Sequence, residues 1–118
     1  MPVPRHHAIN YIEFPVTDMA ATKEFYRTVF GWEFTDYAPE YVGIQAPDGE
    51  GEVGGLRLEE TVQQGGPLVV LYSSDLEASL AAVEGAGGRI NVPIFAFPGG
   101  RRFQFLDPNG NELAVWSE

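Results

Sequence analysis

Phe103-Gln104-Phe105-Leu106-Asp107-Pro108-Asn109-Gly110-Asn111-Glu112-Leu113-Ala114-Val115-Trp116 reads as a strand, a tight polar turn and a second strand. In Asp-Pro-Asn-Gly the pyrrolidine ring holds φ at about −65° at Pro108. Asn109 or Gly110 can then take positive φ, which reverses the chain into a hairpin. After the turn, Leu113 and Val115 fall on one face of the strand, and Glu112, Ala114 and Trp116 on the other. One face can therefore meet a helix while the other looks into a cavity, and the side chains on that second face decide the chemistry.

Working outward, the hairpin closes a pattern that occurs twice. Residues 68–73 form an apolar strand. Asp75 stands as the N-cap of a helix with Leu76, Leu80 and Val83 on one stripe, ended by Gly85, Gly87 and Gly88. Strands over 89–92, 102–106 and 112–116 complete a β-α-β-β-β series. Earlier in the chain, residues 8–16 are a strand with Ile12, Phe14 and Val16 on one face and Tyr11, Glu13 and Pro15 on the other. Asp18 caps a helix whose Met19, Thr22, Phe25, Tyr26, Val29 and Phe30 recur at helical spacing up to Gly31. Residues 32–37, 41–46 and 52–58 supply three further strands. Val16-Thr17-Asp18-Met19 returns as Ser73-Ser74-Asp75-Leu76, and Ala46-Pro47-Asp48-Gly49 returns as Asp107-Pro108-Asn109-Gly110, in the same order. The polar, glycine-containing stretch 59–67 separates the two series. The fold class expected is α+β: one domain over 1–118 built of two tandem βαβββ modules, about 1–60 and 66–118.

Composition narrows the function. The chain of 118 residues carries 17 acidic and 7 basic side chains, a net charge of −10, with no basic stripe, which argues against nucleic acid and anionic membranes as partners. It has no cysteine, which removes disulfides, thiol nucleophiles and thiolate metal sites. No segment is long and apolar enough for a signal sequence or a membrane span, and a cytoplasmic location is expected.

Three stretches together resemble the vicinal oxygen chelate superfamily, which includes glyoxalase I, bleomycin-resistance proteins and extradiol dioxygenases. They are Ile9-Asn10-Tyr11-Ile12-Glu13-Phe14-Pro15-Val16-Thr17-Asp18, Phe25-Tyr26-x-x-Val29-Phe30-Gly31-Trp32, and Phe105-Leu106-Asp107-Pro108-Asn109-Gly110-Asn111. The resemblance implies paired modules whose sheets form cupped half-barrels around a shared cavity, often completed across a homodimer. In the metal enzymes of that superfamily a divalent ion is held by His, Glu or Gln. The corresponding positions here are Tyr11, Leu68 and Ala114, which offer one neutral phenol where imidazole or carboxylate is wanted. No metal and no cofactor are therefore expected.

Glu13 shares a face with Tyr11 and is the candidate acid–base group, or alternatively a carboxylate paired with an arginine. Tyr11, Trp32, Tyr41, Phe95, Phe97, Phe103, Phe105 and Trp116 supply aromatic area for a ligand cavity or for core packing, with Tyr11 and Trp116 the ones expected to face a ligand. Arg57, Arg101 and Arg102 are candidates to orient an anionic ligand or to neutralise Glu13. His6 and His7, four residues of strand from Tyr11 at His7, are expected to be exposed terminal side chains. The expected ligand-binding set is Tyr11, Glu13, Ala114 and Trp116. The function expected is binding of a small organic ligand by a metal-free homodimer. The alternative is a lyase or dioxygenase-type enzyme, either metal-free with Glu13 as acid–base group or with metal ligands at unrecognised positions.

Overall fold

The computed structural model describes residues 5–118. The chain divides into two compact units, the first ending at Val62 and the second beginning at Gln63. In the first unit β1 (Ile12–Val16) leads into α1 (Met19–Phe30), followed by β2 (Phe34–Ala38), β3 (Tyr41–Gln45) and β4 (Glu52–Leu58). The four strands form one sheet in the order β1-β4-β3-β2, with β1 parallel to β4 and the other pairs antiparallel.

Local chemistry sets the ends of α1. The extended Asp18 accepts a hydrogen bond from the Ala21 amide at 3.0 Å. Gly31 takes the left-handed conformation (φ 73°) and its N–H closes the last turn onto the Arg27 carbonyl. Val16, Val42, Ile44 and Leu56 form the buried core under the helix, with Phe14, Met19, Trp32 and Phe34 packed against them. Tyr26 of α1 stacks on Trp32 with ring centroids 4.4 Å apart, so Trp32 belongs to this core and not to a ligand face.

The second unit repeats the plan with β5 (Val69–Tyr72), α2 (Leu76–Gly85), β6 (Arg89–Phe97), β7 (Gly100–Leu106) and β8 (Glu112–Ser117), in the sheet order β5-β8-β7-β6. Asp75 caps α2 as Asp18 caps α1, accepting from the Ala78 amide at 3.1 Å. Leu76 and Val83 of α2 are buried, as are Phe103, Phe105, Leu113 and Val115 of the central strands. The predicted alternation of β8 thus places Leu113 and Val115 on the helix side.

The deciding turn owes its shape to Asp107. Its buried carboxylate accepts from the Asn109 and Asn111 amides, both at 2.9 Å, while the Gly110 N–H returns to the Asp107 carbonyl at 3.0 Å. Gly110, not Asn109, carries the positive φ (95°). The matching turn between β3 and β4 closes through Gly49 N–H to the Ala46 carbonyl at 2.9 Å.

Several boundaries differ from expectation: β2 begins at Phe34 and not at 32, and β7 at Gly100 and not at 102. β6 runs on to Phe97 through Pro93, past the expected end at 92. It is an edge strand with register shifts on either side of Val92, and an edge tolerates a residue without an N–H. α2 ends on Ala86 as its C-cap, with the positive φ falling at Gly87 (94°). β1 starts at Ile12 and not at residue 8, because the Ala8 amide turns back to the Arg5 carbonyl at 3.1 Å.

Candidate functional site

Strand alternation gives each module a face turned away from its own helix, and the candidate side chains collect there. In the first module Tyr11, Glu13, Tyr41 and Arg57 meet across β1, β4 and β3. Glu13 pairs with Gly55 and Tyr41 with Arg57 in the strand register. Gly55 makes this convergence possible, since a Cβ there would collide with the hydroxyls of Tyr41 and Tyr11.

The result is a continuous network. The Tyr11 and Tyr41 hydroxyls lie 2.6 Å apart, and Tyr41 donates to Glu13 Oε2 at 2.9 Å. Arg57 Nη1 donates to Glu13 Oε1 at 2.5 Å, while Arg57 Nε donates to Glu59 at 2.7 Å. Glu13 is thus the carboxylate partner of an arginine, the alternative its sequence context left open, and it is not a free charge. Desolvation, reinforced by the hydrogen bonds to Tyr11 and Glu13, pushes the Tyr41 phenol above its ordinary range. Tyr41 therefore stays protonated near neutral pH and acts here as a hydrogen-bond relay. On the same sheet Tyr37 donates to Glu52, which raises the Tyr37 phenol as well.

The second module carries a different face. Phe95, Arg102, Trp116 and Tyr72 follow one another in register across β6, β7, β8 and β5. The Arg102 guanidinium lies 5.2 Å from the Phe95 ring centroid and 6.0 Å from that of Phe97. Trp116 meets Tyr72 edge-on at 5.2 Å and Phe97 at 6.4 Å. The Tyr72 hydroxyl donates to Glu118 at 2.6 Å, which raises the phenol. Further along the face, Glu112 accepts from Asn91 at 2.6 Å and Gln104 at 2.8 Å. Ala114, between Val70 and Gln104 in the register, is fully buried.

Of the residues singled out from sequence, Tyr11 and Glu13 meet in the first module, and Ala114 and Trp116 share one face in the second. Phe103 and Phe105 are core. Arg57 neutralises Glu13, Arg101 is bound by Glu77 at 2.6 Å, and Arg102 has an aromatic surround instead. His6 and His7 are exposed; their rings stack at 3.7 Å because they sit in a turn, not on opposite faces of a strand. Tyr72 was missed, although its alternation with Leu71 in a four-residue strand was the available signal.

The three positions where the resembling enzymes hold metal offer a phenol already bonded to Tyr41, a buried methyl at Ala114, and Leu68 just before β5. This donor set does not suit a divalent ion. Among the described residues no group of three or more His, Asp or Glu side chains converges as a metal site.

Residues 8–115 match the family model described as Glyoxalase/Bleomycin resistance protein/Dioxygenase superfamily. The chain is 26% identical over 115 residues to "Putative glyoxylase CFP32" of Mycobacterium bovis, covering 91% of this chain and 44% of that protein. It thus spans less than half the length of the curated relatives it matches. A glyoxalase-related enzyme from Fulvimarina pelagi is similar in structure (TM-score 0.79, 22% identity, covering 95% of this chain and 88% of that one). So is the fosfomycin resistance protein FosX from Mesorhizobium loti (TM-score 0.77, 14% identity, 97% and 94%). At these identities the likeness is one of fold.

Proposed function

Since the chain belongs to the Glyoxalase/Bleomycin resistance protein/Dioxygenase superfamily, we propose that it is a small-molecule-binding member, holding an organic ligand against aromatic side chains without the usual divalent metal centre. The observation that carries this reading is the replacement of metal donors by Tyr11, already engaged with Tyr41, and by the buried Ala114. What remains on the helix-free faces is suited to recognition: a hydroxyl and carboxylate network in the first module, and a row of rings around Trp116 in the second. Aromatic surfaces with a few placed polar groups are how small-molecule sites are commonly built.

The other reading is an enzyme of the same superfamily in which Glu13 moves a proton. It is the weaker one, because both Glu13 oxygens are already occupied, by Arg57 and Tyr41, and Tyr41 is held protonated. The relative named as a glyoxylase supports some activity on this scaffold, but over a protein more than twice as long.

The test combines elemental analysis with calorimetry. The purified chain is expected to contain no stoichiometric transition metal and to bind naphthalene-2-carboxamide equally well before and after chelator treatment. Trp116→Ala is expected to weaken that binding by roughly three- to tenfold, the worth of one aromatic contact. One tightly held zinc, iron, nickel or manganese per chain would overturn the metal-free reading.

We further propose a homodimer. Val53 and Leu58 of β4 are 44% and 40% exposed and β5 is an edge strand, and edge strands and apolar side chains of this kind are commonly covered by a second copy. Light scattering should give twice the chain mass at micromolar concentration. A single-chain mass there would rule the dimer out.

A further inference from the structure

Basic side chains are scarce in this protein, with 7 Lys and Arg against 17 Asp and Glu, and among the described residues Arg5, Arg89 and Arg102 have no ion pair; Arg5 and Arg89 are exposed to solvent, whereas Arg102 is partly buried. Lys23 is paired with Asp36, Arg27 with Glu24, Arg57 with Glu13 and Glu59, and Arg101 with Glu77. Arg102 has none of this. Among the described residues its side chain makes no hydrogen bond or ion pair, and its Nε is buried without an acceptor. The two carboxylates on the same face are already engaged: Glu118 accepts from Tyr72, and Glu112 from Asn91 and Gln104.

The guanidinium is held by rings instead. Phe95 and Phe97 lie within 5.2 Å and 6.0 Å of it, and Trp116 and Tyr72 extend the same cross-strand row. Cation–π contacts fix the position of an arginine while leaving its N–H donors unused. Planar N–H donors in a low-polarity surround are what a carboxylate satisfies through two parallel hydrogen bonds, and charge-assisted bonds of this type are the strong ones. The rings beside the guanidinium offer flat apolar surface to the body of the same molecule. Tyr72 and Phe95 are 55% and 36% exposed, so the row is reachable from solvent on the chain itself.

We infer that this face of the second module is a subsite for an aromatic carboxylate, with Arg102 binding the carboxylate and Phe95, Phe97, Trp116 and Tyr72 flanking the ring. The inference rests on the small-molecule reading above and specifies the charge of the ligand. Glu13 in the first module already has Arg57 as its ionic partner, whereas the Arg102 guanidinium lies among rings with its Nε lacking an acceptor, so an anionic group on the ligand is what completes it.

The experiment compares naphthalene-2-carboxylate, its primary amide and 2-naphthylmethylamine by calorimetry, on the wild-type chain and on Arg102→Gln. Wild type should bind the carboxylate about ten- to a hundredfold more tightly than the amide, the worth of a hydrogen bond to a charged group, with the amine weaker still. Arg102→Gln should reduce the carboxylate to near the level of the amide, and its circular dichroism spectrum and urea midpoint show that the variant is folded. Equal binding of acid and amide by wild type, preference for the amine, or an acid preference that survives in Arg102→Gln would each overturn the subsite while leaving the small-molecule reading in place. The wild-type comparison stands whether or not the variant folds. Failure of all three compounds to bind would overturn both.

Discussion

Phe105→Ala is expected to destabilise the protein by about 3–5 kcal/mol, enough to consume much of the roughly 5–15 kcal/mol that holds a domain of this size together. Phe105 is fully buried on the helix side of β7, pairs with Ile90 and Leu113 in the register, and has the Phe103 ring centroid 6.2 Å away. No side chain around it can collapse into the space of a phenyl ring without leaving its own rotamer, so the cost includes the cavity as well as the lost burial. Phe95 provides the control. It lies two strands from β8 on the opposite face and is 36% exposed, so Phe95→Ala should cost about 1–2 kcal/mol, in line with burial of part of a ring. Urea unfolding of the two variants measures both. Comparable losses would show that the two faces of this sheet have been assigned the wrong way round.

Asp107→Ala should cost about 2–4 kcal/mol: the buried carboxylate accepts from two backbone amides at about 1.5–3 kcal/mol each, and the sum is reduced because Asn109 and Asn111 are only partly buried, so their released N–H groups can reach water. The turn itself will survive. Its counterpart between β3 and β4 has Ala46 at the same place and closes through the same kind of Gly N–H to carbonyl bond, with Asp48 accepting from the Glu50 amide at 2.9 Å. The loss therefore comes from the Asn109 and Asn111 N–H groups left without their acceptor. Asp107→Asn, which keeps an acceptor oxygen and loses the charge, should recover about half of it. A variant with alanine that unfolds at the wild-type urea concentration would remove Asp107 from the stability of the hairpin.

The strand orders β1-β4-β3-β2 and β5-β8-β7-β6 show how much of the architecture was legible in advance. Asp18 and Asp75 announce their helices because an N-cap acts on amides three residues away, and the two Pro-x-Gly turns announce their hairpins because φ at Pro and Gly is a property of the residue itself. Misreadings fell where a distant neighbour overrides such local signals. Pro93 lies past the expected strand end at 92, yet it continues β6 because that strand lies at the edge of the sheet, and only the sheet order determines which strands are edges.

The same division holds for the candidate site. The period of two in β1 and β8 put Tyr11 with Glu13, and Ala114 with Trp116, on their respective faces, since alternation is built into extended backbone. Which charges meet was decided only by the tertiary structure. Arg57 reaches Glu13 from 44 positions further along the chain through the β1–β4 register. Arg102 is brought between Phe95 and Trp116 by the registers of β7 with β6 and with β8. Slipping a strand by one residue turns every side chain to the other face, so these pairings depend on how the strands align, a property of the folded sheet that no local stretch of the chain contains.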